Sequence, residues 1–435
     1  MTRVDWSVLD EAGRRSLLER PAVRSGAGIA TAVGDIIGKV RSGGDAALLE
    51  LTARFDGVQL ESLAVGKDEL EAAAGLLEPA AVEAIHFAIG NIRRFHAAQA
   101  SQPLRVETLP GVVCERVSRP LHAVGLYVPA GRAPLPSTAI MLGVPAELAG
   151  CPVRVLCTPP RPDGRADPAV LVAARACGIE RVFKVGGAQA IAAMAYGTQS
   201  IPKVDKVFGP GNAWVTAAKQ AVALDAAGAA YDMPAGPSEV MVIADNMANP
   251  RFVALDLLSQ AEHGPDSQVL LVTTDSALIE RVRAEIDAVL PSLPRRDIMA
   301  ESLLHSAAIL VADLADAIDV ANRYAPEHLI LQVVQPRLWV DHIWSAGSVF
   351  LGPWTPESVG DYCSGTNHVL PTYGYARSYS GLSVADFERR MTLQELSPAG
   401  LATLAPAVEV LAGLEGLQAH AQAVRARTSD GASAA

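Results

Sequence analysis

Short apolar segments alternate with segments rich in small residues from Pro120 onward, and this pattern limits the possible folds more than any other feature of the chain. The apolar segments are AVGLYVPA, VRVLCTPP, ERVFKVGG, DKVFGPG, EVMVIAD and QVLLVTTD. Strands that alternate with helices in this way are typical of βαβ units in a mostly parallel sheet. The segments form two clusters with a break near Met233 to Pro237, so we expect two α/β layers.

The two ends of the chain have a different character. From Val4 to about Val106, Ala, Leu and Glu recur with helical spacing, as in GGDAALLELTARFDG, which predicts helices and few strands. After TLQEL the chain is again predicted to be helical. Because 435 residues with 50% hydrophobic content exceed what one compact core usually holds, we expect two or more domains.

Charge and cysteine content argue against several classes of protein. The chain has 36 Lys and Arg against 47 Asp and Glu, a net charge of -11, and no basic run interleaved with aromatics, so nucleic-acid binding is not expected. Its five cysteines form no CxxC pair and its N-terminus has charges where a secretory core would lie, so we expect a reduced, cytoplasmic protein. No apolar run approaches the roughly 20 residues that cross a bilayer, so no membrane partner is expected.

Two glycine turns connect a predicted strand to a predicted helix. KVGGAQAIAAMAYGT and KVFGPGNAWVTAAK each have this form, which can aim backbone N–H groups at an anion, although the GxGxxG fingerprint is absent. Gln189 and Asn212 lie just inside the turns and could bind a ligand, or could be ordinary polar residues at helix starts. Tyr127 follows a strand in a Pro/Gly loop, where open sheets bind ligands, although packing is the commoner role for an aromatic.

Three polar motifs concentrate acid, base and metal-ligand chemistry. In FVALDLLSQAEHGPDSQ, Gln260 and His263 share one face at the end of a predicted helix, where they could bind a metal or merely decorate the helix end. The other two motifs, YAPEHL and GDYCSGTNHVLPT, contain Glu327, His328, Asp361 and His368.

These segments, in this order, resemble the histidinol dehydrogenase family. The likeness covers nearly the whole chain and rests on FGPGNAWVTAAKQ, DMPAGPSEVMVIAD, LLSQAEHGPDSQ, YAPEHL and the long region from GSVFLGPWTPESVGDYCSG to RRMTLQELS. The resemblance implies oxidation of L-histidinol through L-histidinaldehyde to L-histidine, the end of histidine synthesis, with two NAD and one zinc ion per site. It also implies two Rossmann-like α/β domains with an incomplete dinucleotide fingerprint, in a homodimer that exchanges C-terminal segments.

The resemblance assigns roles to individual residues of this chain. The implied zinc ligands, which also contact substrate, are Gln260, His263, Asp361 and His420, a nitrogen and oxygen set that suits zinc without a thiolate. His420 and the implied substrate contact Glu415 lie on the tail, LEGLQAHAQAV, which in this family completes the site of the neighbouring subunit. The other implied substrate contacts are Ser238, His328 and His368. The implied NAD contacts are Tyr127, Gln189 and Asn212.

Two successive oxidations need two bases, and the adjacent Glu327 and His328 could supply them. An imidazole with a pKa near its ordinary 6.5 can accept the alcohol proton, and a carboxylate in a dry pocket can act on water in the aldehyde step. Adjacent residues of a regular element point in different directions, so an irregular turn near Pro326 is required to aim both inward. Otherwise Glu327 caps a helix and His328 packs.

The predicted domains follow from the pattern and the resemblance together. We expect an N-terminal helical arm (1–24), a discontinuous catalytic α/β domain (25–126 and 239–380), an NAD-binding α/β domain (127–238) and a C-terminal helical segment (381–435) that reaches the partner subunit. Three other functions stay open: a related zinc and NAD enzyme for another small polar alcohol, a zinc hydrolase driven by Glu327, and, with least support, a noncatalytic metabolite-binding module. Glu415 and Ser238 favour histidinol.

Overall fold

Parallel sheets form the framework of the computed structural model, which describes residues 1–21, 28–130, 133–234 and 236–430. Within these residues the strands are β1 (Thr2–Asp5), β2 (Leu104–Leu109), β3 (Val112–Pro120), β4 (Ala123–Tyr127), β5 (Val153–Thr158), β6 (Arg181–Lys184), β7 (Lys206–Phe208), β8 (Ala230–Tyr231), β9 (Glu239–Ala244), β10 (Gln268–Thr273), β11 (Ala307–Leu310), β12 (His328–Gln332), β13 (Ser348–Leu351) and β14 (Glu388–Leu396).

The α-helices of the same residues alternate with most of these strands. They are α1 (Glu11–Leu17), α2 (Ile29–Phe55), α3 (Lys67–Ala72), α4 (Pro79–Ala97), α5 (Pro136–Ala149), α6 (Pro168–Ala176), α7 (Gly187–Tyr196), α8 (Ala213–Leu224), α9 (Pro250–Ala261), α10 (Ser276–Val289), α11 (Arg296–Leu304), α12 (Leu314–Tyr324), α13 (Glu357–Tyr362), α14 (Pro398–Leu414) and α15 (Gln418–Asp430).

The strands form two parallel sheets and one small antiparallel sheet. A six-stranded sheet has the order β1-β11-β10-β9-β12-β13, and a five-stranded sheet has the order β6-β5-β4-β7-β8. Every neighbouring pair in these two sheets is parallel. β14, β3 and β2 form the antiparallel sheet. The predicted α/β class with two parallel layers is therefore confirmed.

Helices cover both faces of each parallel sheet. On the five-stranded sheet, α2 packs with α7 and α8 on one face, and α4 packs with α5 and α6 on the other. On the six-stranded sheet, α9 and α10 bury one face of β9 and α12 buries the other. All six residues of β9 are buried, as expected for a central strand of a parallel sheet covered on both faces.

The packing differs from the predicted domain division in three places. The predicted helical arm 1–24 contains a strand, since Thr2–Asp5 pairs with β11; its exposed edge position gives only a weak sequence signal. Residues 25–126 were predicted to belong to the same domain as residues 239–380, which contain most of the six-stranded sheet. Instead, α2 and α4 cover the five-stranded sheet. The predicted helical segment 381–435 includes β14. The predicted boundary at 24/25 and the last residues, 431–435, lie outside the described residues.

Among the described residues, no single helix is long and apolar enough to cross a membrane. Within the same described residues, only the pair 67–76 and 79–97 reaches that length and apolar character together, and the two helices are bent by 109° relative to each other.

Candidate active site

The catalytic pair expected from the sequence lies at the amino-terminal edge of the six-stranded sheet. His328 is the first residue of β12, and the neighbouring strand β9 begins at Glu239. α9 runs antiparallel to these strands, because it connects two parallel strands, and so its last turn returns Gln260 and then His263 to the same edge. Open α/β sheets usually bind ligands at the carboxyl ends of their strands, so this site lies at the opposite edge.

A turn before β12 brings Glu327 and His328 into one pocket. Ala325 ends α12 in the left-handed conformation, with φ 54° and ψ 67°, and Pro326 follows. Oε2 of Glu327 accepts a hydrogen bond from the backbone N–H of Glu239 (2.9 Å), and Nδ1 of His328 lies 3.2 Å from the Glu239 carbonyl oxygen. Both side chains are buried. The irregular turn that the sequence requires is thus present.

Burial and neighbouring charges shift the pKa of both side chains. Burial raises the pKa of Glu327 to about 8, although His328 opposes the shift. Burial alone would lower the pKa of His328, but the carboxylates of Glu327 and Glu357 raise it to about 10. Negative charge therefore exceeds positive charge around this imidazole, an arrangement that favours a cation nearby.

A cluster able to bind a metal lies next to the pair. His263, Glu357 and Asp361 bring one ligand atom each to within 4.8 Å of one another. Glu357 and Asp361 are one turn apart on α13, and Oδ1 of Asp361 is 3.7 Å from Nε2 of His328. The buried amide of Gln260, oriented so that its nitrogen faces a carboxylate, donates to Oε2 of Glu357 (2.7 Å). Three of the four expected zinc ligands are therefore close together.

Two further residues expected at the site also lie beside it. Nδ1 of His368 is 2.8 Å from the carbonyl oxygen of Asp361, and its Nε2 is 3.4 Å from the hydroxyl of Thr138. Ser238 is half-buried and immediately precedes Glu239 at the start of β9. Both positions are compatible with contact to a ligand bound at the metal cluster.

The two expected tail residues are not brought to this cluster within one chain. Glu415 follows the last residue of α14 and His420 lies in the first turn of α15, and both are exposed. The group of metal-capable side chains found among residues 1–21, 28–130, 133–234 and 236–430 does not include His420. A role for either residue at the site thus requires the tail of another subunit.

The two glycine turns each connect a strand to a helix, as predicted, and both lie at the carboxyl edge of the five-stranded sheet. β6 leads through Gly187 into α7, and β7 leads through Gly209 into α8. The second turn is held from both sides, because the backbone N–H of Gly209 donates to Oδ2 of Asp232 (2.7 Å) and Nζ of Lys219 donates to its carbonyl oxygen (2.7 Å). Lys219 and Asp232 also form a buried ion pair. This is a rigid turn at a helix start.

The expected NAD contacts surround these turns. The Tyr127 hydroxyl is buried and accepts the backbone N–H of Gly187 (3.0 Å), and Gln189 is buried in the first turn of α7. Asn212 caps α8, its side-chain oxygen accepting the N–H groups of Trp214 (3.1 Å) and Val215 (3.2 Å). The capping role foreseen for Asn212 is thus present, and contact with NAD remains a prediction for all three residues.

Known proteins share both the sequence and the fold. A family model described as histidinol dehydrogenase matches residues 19–428. The chain is 57% identical to the histidinol dehydrogenase of Xanthomonas campestris pv. campestris over 98% of this chain and 99% of that protein. It is 55% identical to the histidinol dehydrogenase of Vibrio cholerae, over 98% of each. The crystal structure of the histidinol dehydrogenase from Elizabethkingia anophelis matches with TM-score 0.94 and 45% identity, covering 97% of both chains.

The chain belongs to the histidinol dehydrogenase family. Against that background, two residues of the site were missed by the sequence analysis, Glu357 and Glu239. Glu357 has a local signal, because ESVGD places it four residues before Asp361 on one helix face. Glu239 has none, because it contacts Glu327 and His328 through its backbone N–H and carbonyl.

Proposed function

We propose that the amino-terminal edge of the six-stranded sheet is where this chain oxidises L-histidinol through L-histidinaldehyde to L-histidine, with NAD as electron acceptor and one zinc ion per subunit. The activity itself is that of a histidinol dehydrogenase, an oxidoreductase of histidine biosynthesis, because full-length relatives share 55% to 58% identity with the chain. That likeness leaves no role for the zinc-hydrolase and binding-module alternatives. The observation that carries the site assignment is the burial of Glu327 and His328 beside His263, Glu357 and Asp361.

The two bases would act in turn. In the first step His328 accepts the hydroxyl proton of histidinol while hydride leaves the carbon for NAD. In the second step Glu327 removes a proton from water or from the aldehyde hydrate, and hydride leaves for a second NAD. A carboxylate with a pKa raised to about 8 is a stronger base than an ordinary one and is substantially ionised at slightly alkaline pH. The raised pKa of Glu327 supports its assignment to the aldehyde step, with His328 as the base of the alcohol step.

The residues around the cluster fit a zinc ion. Gln260, His263 and Asp361 would hold it, with Glu357 beside them, and nitrogen and oxygen donors of this kind suit zinc. When bound, the cation would anchor the imidazole and amine of the substrate and offset the carboxylates that raise the pKa of His328. His328 would then be better able to accept a proton near neutral pH.

A homodimer with shared sites would supply His420 as the fourth ligand and Glu415 as a substrate contact. The support is an exposed apolar surface that involves β14 and α14. Met391 and Leu393 on the sheet are 41% and 40% exposed, and Val410 and Leu414 on the helix are 63% and 80% exposed. Exposed apolar residues grouped on neighbouring elements favour protein–protein contacts, and here they belong to the segment that carries His420. The negative charge of Glu415 suits the amino group of histidinol.

NAD would bind at the carboxyl edge of the five-stranded sheet. Two successive glycine turns there each lead into a helix, and the positive N-terminal ends of α7 and α8 favour a pyrophosphate. Tyr127, Gln189 and Asn212 all lie within or next to these turns.

The decisive experiment counts the NADH formed per L-histidinol consumed by zinc-loaded enzyme at slightly alkaline pH. We expect a ratio near two, as a four-electron oxidation demands. A ratio near one would mean that only the alcohol step occurs and would contradict the role of Glu327. Formation of no NADH would indicate a relative that oxidises another small polar alcohol.

A further inference from the structure

Arg20 reaches from the N-terminal segment to the amino-terminal edge of the six-stranded sheet. Its Nε and Nη2 donate to Oε1 and Oε2 of Glu239, both at 2.7 Å, and both side chains are buried. Nη2 also donates to the carbonyl oxygen of Tyr324 (2.8 Å), and the guanidinium lies 3.8 Å from the centroid of the Tyr324 ring. A planar guanidinium with two parallel bonds and a stacked ring fixes its carboxylate partner in position as well as in distance.

Glu239 is the residue to which both catalytic side chains are anchored. Its backbone N–H donates to the Glu327 carboxylate (2.9 Å), and its carbonyl oxygen lies 3.2 Å from Nδ1 of His328. Its own side chain accepts the Tyr373 N–H (2.6 Å) in addition to the two bonds from Arg20. The side chain thus holds the backbone, and the backbone holds the two bases.

The carbonyl of Glu239 also specifies which nitrogen of His328 carries a proton. A carbonyl oxygen can only accept, so the nitrogen beside it must be N–H. The amide nitrogen of Gln260, which faces the Glu357 carboxylate, also lies 3.3 Å from this nitrogen, but the two Glu357 oxygens can take both of its N–H groups and leave the Nδ1 proton to the carbonyl. Nε2 is left as the nitrogen able to take a proton, and it is buried without a hydrogen-bond partner among the described residues.

We propose that Arg20 is a positioning residue for catalysis, which clamps the Glu239 carboxylate and thereby holds the Glu239 backbone where it aims Glu327 and Nε2 of His328 into the site. This inference rests on the catalytic roles proposed above for Glu327 and His328. It assigns the N-terminal segment a part in the chemistry, although Arg20 itself is not a catalytic residue. Lysine could not replace it, because an ammonium cannot form the two parallel bonds.

The test compares Arg20→Met, Arg20→Lys and Glu239→Gln with the unaltered zinc-loaded enzyme. We expect kcat to fall by about 100-fold in both half-reactions, as small misplacements of catalytic groups do, with the KM values for histidinol and NAD within about twofold. Zinc content should stay the same. Ethylguanidinium added to Arg20→Met should restore part of kcat, while an equal concentration of urea should not. The control is Arg323→Met, because Arg323 forms exposed ion pairs with Glu11 and Asp319, and its kcat should not change.

A double-mutant cycle keeps the test decisive if one variant is unstable. Because Arg20 and Glu239 act as a unit, the Arg20→Met/Glu239→Gln variant should lose no more kcat than the worse single variant. Independent, additive losses would overturn the clamp, and so would an unchanged kcat per folded enzyme in Glu239→Gln. Measuring Glu327→Gln and His328→Asn alongside distinguishes failure of the catalytic roles from failure of the Arg20 clamp. If these two variants keep full activity, the catalytic roles of Glu327 and His328 are wrong. If they lose activity while the Arg20 and Glu239 variants keep it, only the clamp is wrong.

Discussion

Glu327 is a buried carboxylate whose environment, more than its residue type, determines its role. Burial raises its pKa to about 8, and the one backbone hydrogen bond that it accepts, from Glu239, favours the ionised form. We expect Glu327→Gln to keep the shape and lose the base, slowing the aldehyde step by about 100-fold or more while the alcohol step is much less affected. Single-turnover assays that start from L-histidinol and from L-histidinaldehyde measure the two steps separately. Equal loss in both would refute the division of labour.

Asp256 is a second buried carboxylate, outside the proposed catalytic set. Burial raises its pKa to about 6, although the amide of Gln332 donates to it at 2.9 Å. The folded protein therefore favours the protonated form of Asp256. The stability that this preference contributes is fully present below the unfolded pKa of about 3.8 and is lost as pH rises through the folded pKa of about 6. We expect Asp256→Asn to be more stable than the unaltered enzyme at pH 8, by at most about 2 to 3 kcal/mol, and to lose that advantage near pH 4.

Urea unfolding of both proteins at several pH values, at one protein concentration, measures this difference in free energy. Asp297→Asn is the matched control for removal of a carboxylate, because the Asp297 side chain is 98% exposed. A stability difference that does not vary with pH would contradict the assignment to Asp256.

The sequence predicted which residues lie near one another where the signal is local. Gln260 and His263 share a helix end, and the structure brings both to the amino-terminal edge of the six-stranded sheet, while their role as metal ligands stays a prediction. Glu357 could have been found in the same way, from its spacing to Asp361. Arg20 and Glu239 could not, because 219 positions separate them and their contact depends on how β9 and the N-terminal segment meet in space.

At the level of elements, the turn after β7 is tightly constrained and lies where we propose that NAD binds. Gly209 has φ 122°, a conformation that side chains rarely adopt, and an added Cβ would overlap the carbonyl oxygen of Tyr127. Asp232 and Lys219 hold the peptide groups on either side, so the turn cannot shift to make room. We expect Gly209→Ala to weaken NAD binding at least about tenfold and to destabilise the fold by about 1 to 3 kcal/mol.

Thermal-shift titration with NAD measures both effects, because binding to the folded state raises the Tm. Gly90→Ala is the control: Gly90 lies on α4, and a Cβ there meets no atom within 4 Å. That variant should be unchanged in NAD binding and more stable by about 0.5 to 1 kcal/mol, as replacement of a helical glycine usually is. Normal NAD binding and Tm in Gly209→Ala would show that the turn is not needed.

The buried strands were predictable from the sequence, and the exposed strands were not. The strands inside both parallel sheets are short segments dominated by apolar residues, and all the segments quoted from the sequence correspond to strands. The antiparallel sheet was missed, because LRVETL, VVCERVSRP and ERRMTLQEL carry charges along their length and lack a buried face within one chain. β14 also pairs with β3, a strand more than 250 residues earlier, a contact that no local pattern reports.

At the level of the whole molecule, one chain does not bring all four proposed zinc ligands together among its described residues. Gln260, His263 and Asp361 belong to the six-stranded sheet and its helices, whereas His420 lies on an exposed tail that packs mainly against itself, α14 against α15. The exposed apolar residues of β14 and α14 indicate where another subunit would attach. A homodimer that exchanges its tails would bury this surface and bring His420 to the partner's metal cluster in a single arrangement.

That arrangement predicts complementation between two inactive variants. His420→Ala should lose zinc while remaining a folded dimer, and His263→Ala should lose zinc from the other side of the site. In a mixed dimer one site has both mutations and the other has neither, so random reassociation should restore about a quarter of the unaltered activity per subunit. Zinc content and NADH formation after mixing measure this. His263→Ala mixed with Asp361→Ala is the control, because both lie in the same part of one chain and every site keeps a defect. If His420 bound zinc within its own chain, no mixed dimer could have an intact site, and the first mixture would stay as inactive as the control.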